Sequence, residues 1–346
     1  MSNLRRGLLV AGGVVVVGLV ALVLVAKNTG VRIPVIDDVV DADPVCPLTG
    51  LDPDKESALE RPAVAVKIEN AEIAYPLSGL DKAEVVYEEP VEGGLTRFMA
   101  IYHCTDVAKA GPVRSSRVVD PAIMSPYTRI LAAAGGNDIV RKALEKEGIV
   151  LVDEDGSGEA MERVPREGLP TEHTLYADVA ELRELGEKDY KEPPADDVFK
   201  FGDLEGKARD ARSISIDFSP SVNVSYEWNG KGWARSDNGQ PQEVEGGGQI
   251  TVDNVIIEEH TISNSTTLFD VEGNPSPEIT DVTGSGRAVL FRDKKAIEGR
   301  WVRKSDKDRV TFETEEGEEM VLKKGTTWIE LVPDKKGDLK GSFSFK

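Results

Sequence analysis

Hydrophobic positions change their spacing along the chain, and each change predicts a different kind of element. Gly7 to Ala26 is an unbroken apolar run of twenty residues, with Arg5 and Arg6 before it and Lys27 after it. Such a run rises about 30 Å as a helix, the thickness of a bilayer core. It predicts a transmembrane helix. Cations on its N-terminal side predict that everything after Asn28 lies outside the cytoplasm. A cleaved signal peptide is the competing reading, with Leu24-Val25-Ala26 as a tolerable cleavage site. The apolar core of such a peptide is usually shorter, about 7–15 residues. No cysteine follows the run closely, which argues against lipid attachment there. The expectation is an uncleaved single-pass anchor over residues 1–28 and an extracytoplasmic spacer over 29–44.

Beyond the spacer the apolar spacing shortens. Pro62 to Ile68, Ala83 to Glu88 and Leu95 to His103 read as strands, the last entered through the Gly93-Gly94 turn. Val118 to Leu131 starts a helix that Pro121 and Pro126 interrupt. Asn137-Asp138 caps a helix over Ile139 to Glu147, with Gly148 as its stop, and Ile149 to Val152 is again a strand. Asp178 to Leu185 is a closing helix. This alternation predicts an α/β domain over residues 45–190. Residues 191–206 read as a linker, following Pro193-Pro194 and its charged neighbours. After residue 206 helical periodicity nearly vanishes. Short alternating runs such as Ser213 to Phe218, Val222 to Trp228 and Thr327 to Val332 are parted by Asn229-Gly230 and similar turns. They predict a β-rich domain over 207–346.

Charge and cysteine content then narrow the function. The formal net charge is −20 over 346 residues, with no long basic run, which argues against nucleic acid as a partner. Cys46 and Cys104 are the two cysteines. Outside the cytoplasm an even pair predicts a disulfide, the alternative being two separate buried thiols. Neither has a Cys/His companion at metal-site spacing, so no metal is expected. Gly-x-Ser-x-Gly, His-Glu-x-x-His and phosphate-loop patterns are all missing, and no cofactor is implied.

Against the acidic background, Arg97, Arg114 and Arg117 gather beside Gly93-Gly94 and Gly111-Pro112. Guanidinium groups grip carboxylate or phosphate in two-pronged fashion, so three together suggest an anion site. The plainer reading is that they neutralise Glu88, Glu89 and Glu92. His173, in a proline-bounded loop, is a candidate for the same site. So are Gly135 and Gly136, whose amides precede a helix. His103 reads as structural and His260 as a surface residue. Tyr226, Trp228, Trp233, Trp301 and Trp328 could form a polymer-facing strip, but most read as β core.

Several motifs together carry a resemblance. Pro47-Leu-Thr-Gly50, Arg61-Pro-Ala-Val-Ala-Val-Lys-Ile-Glu-Asn70, Glu92-Gly-Gly-Leu-Thr-Arg-Phe98 and Gly111-Pro-Val-Arg-Ser-Ser-Arg117 resemble the DUF3048 family of YerB-like lipoproteins from Gram-positive bacteria. Asp253-Asn-Val-Ile-Ile257, Gly299-Arg-Trp301 and Gly325-Thr-Thr-Trp-Ile329 are similar to its second domain. The resemblance covers nearly everything after residue 45. It implies an extracytoplasmic envelope location and leaves the chemistry open. The order of elements from Arg97 to Val152 is also similar to the LytR-CpsA-Psr wall-polymer transferases. Their Arg-Asp pairs are missing here: Phe98 follows Arg97 and Ser115 follows Arg114. The expected function is a membrane-anchored envelope protein whose arginines bind a wall polymer or lipid-linked phosphate. The alternatives are a phosphotransferase on wall glycopolymers and a protein-interaction module.

Overall fold

The computed structural model describes residues 44–204, 206–305 and 308–346. The expected anchor and spacer lie outside the described residues. Among the described residues no helix is long and apolar enough to cross a membrane.

Among the described residues, five strands from the first half of the chain enter the largest sheet: β1 (Val64–Glu69), β2 (Val85–Pro90), β3 (Thr96–Tyr102), β4 (Ile130–Ala132) and β5 (Val150–Val152). They form one side of an 11-stranded sheet. Its path runs Thr311–Thr314, Lys295–Arg303, Gly284–Arg292, Asn254–His260, Thr327–Pro333, β2, β3, β1, β4, β5. The seam between the halves is parallel, pairing Val85 to Glu88 of β2 with Thr327 to Glu330. Residues Val45–Lys346 therefore form one compact unit. A second sheet, centred on Ser213–Ser219, Val222–Trp228 and Trp233–Asp237, packs on one face of the first, and Val66, Phe98, Val224, Trp233 and Trp328 share a core there. The other face carries a separate core around Ala65, Met99, Ile101, Ile256 and Trp301.

The α/β expectation for the first half is corrected. The described α-helices are short: Asp120–Met124, Asp138–Lys146 and Val179–Gly186. β1, β2 and β3 are joined by loops and 3₁₀ turns and pair antiparallel, so the region is β-rich. Only β4, the helix Asp138–Lys146 and β5 keep the strand–helix–parallel strand order. The helix expected over 118–131 shrinks to five residues, with Pro121 at its start and Pro126 just beyond its end. A proline supplies no N–H to a helix interior, and by Ile130 the chain is extended. The caps follow the reading: Asn137 Oδ1 accepts from the N–H of Ile139 and Val140 at 3.1 and 3.0 Å. Asp178 caps the third helix in the same way.

Cys46 and Cys104 are joined by a disulfide, Cα atoms 6.2 Å apart, which ties the segment before β1 to the end of β3. At a sequence separation of 58, the link contributes roughly 4 kcal/mol in the chain-entropy picture.

Candidate functional site

The site starts from strand register. Arg97 on β3 pairs with Glu69 on β1 and Glu89 on β2, so the three form a row. Directly paired residues point to one face of a sheet, here the face of Met99. The following loop is laid along β1. Glu69 N–H donates to Pro112 O at 3.0 Å and Arg114 N–H to Lys67 O at 2.9 Å. That hydrogen bonding carries Arg114 and Arg117 to Arg97.

The three guanidinium groups converge. Arg97 Nη1 and Arg117 Nη1 both donate to Ser115 O, at 3.2 and 3.4 Å. Arg117 also pairs with Glu92, whose other oxygen accepts from Ser276 Oγ. Arg114 Nε lies 3.6 Å from Glu69, and its Nη1 donates to Glu172 O at 2.6 Å. His173 Nδ1 sits 2.8 Å from the same Glu69 carboxylate. Two carboxylates thus serve two of the arginines and a histidine. Arg97 itself has no carboxylate at ion-pair distance among the described residues. Burial, then the Arg117 and Arg114 cations, push its guanidinium down to about 9. It remains charged at neutral pH. Burial pushes Glu92 up, but Arg117 and Ser276 outweigh it and hold the carboxyl below its ordinary value.

Beneath the cluster lies an ion triad that the sequence reading missed. Lys67 is fully buried and contacts Glu89 and Asp120, the latter at 2.7 Å. Asp120 Oδ2 also accepts from Arg117 N–H at 2.6 Å, so the triad anchors the arginine loop. Burial raises the Glu89 carboxyl, and Lys67 opposes it. The available signal was a charge at every second position of an otherwise apolar strand, Lys67 and Glu69. A one-sided strand pattern places such charges together.

Gly135 and Gly136 lie behind this loop. Gly135 O accepts from both N–H and Oγ of Ser116, each at 2.9 Å, and Gly136 O from Arg141 Nε at 3.0 Å. A Cβ on Gly136 would sit 2.6 Å from Ser116 Oγ, so the loop approaches only because the side chain is missing. His103 is buried, with Nε2 3.0 Å from Arg61 O, and burial pushes its ring down to about 4. The expectation that His260 is a surface residue is corrected. It is buried, stacked on Trp301 at 4.5 Å, and sits between Glu258 (2.9 Å) and Asp281 (3.1 Å). Burial alone would lower its ring, but hydrogen bonds to Asp281 and Glu258 raise it to about 9. Tyr226, Trp233, Trp301 and Trp328 are core residues.

The opposite face holds a different arginine. Arg235 is fully buried, pairs with Glu88 at 2.6 Å, and lies over the rings of Trp328 and Phe98, 5.1 and 5.4 Å from their centres. Tyr226 OH donates to the nearby Glu330. Burial drives the Glu88 carboxyl well above its usual range, and Arg235 pulls against that.

The two halves that share this sheet correspond to the two domains of one protein family. Residues 48–192 match "Protein of unknown function (DUF3048) N-terminal domain", and residues 214–329 match the corresponding C-terminal domain. The chain belongs to the DUF3048 family. It is 28% identical over 297 residues to the protein described as "Putative lipoprotein YerB" of Bacillus subtilis (strain 168), covering 83% of this chain and 86% of that protein. The crystal structure of the YerB protein from Bacillus subtilis matches with a TM-score of 0.70 at 24% identity, over 87% of this chain and 100% of that one. The two proteins share this fold.

Proposed function

We propose that the chain is a membrane-associated, extracytoplasmic envelope protein that binds an anionic group at Arg97, Arg114 and Arg117. The phosphate of a wall polymer or of a lipid carrier fits that chemistry, because a tetrahedral phosphate anion can accept from several guanidinium groups at once. One observation carries the reading: Arg97 is partly buried beside two other arginines with no carboxylate of its own. An incoming anion would relieve that repulsion. The disulfide suits an oxidising compartment. The lipoprotein description of the Bacillus relative supports the membrane association.

Phosphoryl transfer would call for carboxylates free to hold a metal. Glu69 and Glu92 instead pair with His173, Arg114 and Arg117. The proposal is accordingly one of binding. Titration with polyprenyl phosphate and with purified wall polymer is the test, comparing the native chain with Arg97→Ala and with Arg114→Ala/Arg117→Ala. Affinity should fall at least about tenfold in each variant, since hydrogen bonds to charged groups contribute about 1.5–3 kcal/mol. It should also weaken as salt rises. Equal affinity in all three proteins would sink the idea.

A further inference from the structure

A cavity opens where the two sheets meet, close to the arginine cluster in sequence but on the other face. Its volume is about 360 Å³, and Asn70, Tyr75, Leu95, Asp237, Asn238 and Gln240 are among its lining residues. That size is at the low end for small-molecule sites, about 300–1,000 Å³. Its polar floor is pre-organised. Asp237 Oδ2 accepts from Tyr75 OH at 2.8 Å and from Asn70 Nδ2 at 3.2 Å. Asn70 is held in turn by Thr96 at 2.8 Å and Gln242 at 3.1 Å. The carboxylate is therefore fixed in orientation. Its second oxygen, Oδ1, and the neighbouring Gln242 Oε1 are buried with no hydrogen-bond partner, and Asp237 as a whole is only 7% exposed. A buried acceptor without a partner costs about 1–3 kcal/mol, a cost that a donor reaching this floor would relieve.

We infer that this cavity is a binding site for a neutral sugar unit or similar polyol. Hydroxyl groups both donate and accept. The lining offers both in the Gln240 carboxamide and the Ser221 hydroxyl, together with the Asp237 and Glu72 carboxylates as acceptors. Leu95 and Val222 add an apolar patch for the C–H face of a pyranose ring. An ammonium ligand would use the acceptors alone and leave the Gln240 amide idle. The site is independent of the arginine cluster: Asn70 and Thr96 face the second sheet, whereas Glu69 and Arg97 face away from it.

The test is calorimetric or saturation-transfer NMR titration of the full-length chain with N-acetylglucosamine, its β-1,4-linked disaccharide and glucose. Spermidine serves as the cationic control. At least one sugar should bind, and spermidine should not. Gln240→Ala, an exposed position that leaves the core untouched, should weaken sugar binding about fivefold or more, and Asp237→Asn about tenfold. Arg97→Ala should leave it unchanged. No sugar binding in the native chain, spermidine binding in its place, or sugar affinity indifferent to Gln240→Ala would each overturn the assignment. Loss of sugar binding in Arg97→Ala would also do so, by placing the sugar in the anion site.

Discussion

Arg235 and Arg97 lie against opposite faces of one sheet, and they are treated in opposite ways. Arg235 is fully buried, held by Glu88, near Glu330 and covered by aromatic rings. Arg97 is partly exposed, crowded by two further cations, and shares its surroundings with two carboxylates that are already engaged. A caged cation is a structural element, because removing either partner strands a buried charge. A crowded cation contributes little to folding, and its uncompensated field is available to a ligand. The lesson is that an arginine's role follows from how many carboxylates surround it relative to its burial. Proximity in sequence to Glu88 and Glu89 does not decide it: Glu88 belongs to Arg235 and Glu89 to Lys67.

The largest expected effect tests the caged side. Arg235→Met should destabilise the protein by about 3–5 kcal/mol in urea unfolding, since Glu88 is left buried without its cation. Adding Glu88→Leu should recover much of that loss. A cost below about 1 kcal/mol for Arg235→Met would erase the contrast.

His260 obeys the same rule as Arg235, being a buried cation between two carboxylates. Its folded value of about 9 lies above the ordinary 6.5. A raised value means that the charged ring stabilises fully below pH 6.5 and that this contribution is lost as pH rises towards 9. The amount is roughly 3 kcal/mol. Melting temperature should fall across that window, and His260→Gln should flatten the profile. A native profile that is already flat there would remove His260 from the caged class.

A smaller effect is expected behind the arginine loop. Gly136→Ala forces a Cβ against Ser116 Oγ and should cost about 1–3 kcal/mol, the usual range for overpacking. It should also weaken anion binding although no arginine is altered. Full binding in that variant would show that the Gly135–Gly136 contact does not position the cluster.

The smallest effect on stability belongs to Arg97. Arg97→Ala should change unfolding free energy by less than about 1 kcal/mol, because the loss of one hydrogen bond is offset by relief of cation repulsion. Its binding defect should far exceed its folding defect. A large destabilisation would place Arg97 with Arg235 as a structural residue.

Much of the local structure was legible. The strands near 62–68, 83–88 and 95–103 appear within a few residues, because alternating or dense apolar runs record a pleated surface directly. The Asn137 and Asp178 caps were legible for a similar reason: a capping oxygen bonds amides two and three residues away. The three arginines and His173 could be named from their spacing and loop setting. Glu69 could not be named as their shared carboxylate, nor Lys67 and Asp120 as their support, since these contacts join β1, β2 and a distant helix. His260 was misread because a strand-ending histidine has no local mark of the Asp281 and Trp301 that enclose it.

By itself, then, the sequence determined the short-range features: strands, caps, an even cysteine pair and an arginine-rich turn region on an acidic chain. Tertiary structure alone decided that the two halves share one sheet through the parallel pairing of β2 with Thr327–Pro333. It also decided which face each charge occupies and which carboxylate each arginine meets. The physical reason is range. Turn, cap and pleat energies act over a few neighbouring residues. Pairing of buried charges is set by register between strands far apart in the chain, where a shift of one residue would exchange Arg97 with Phe98 and close the cluster.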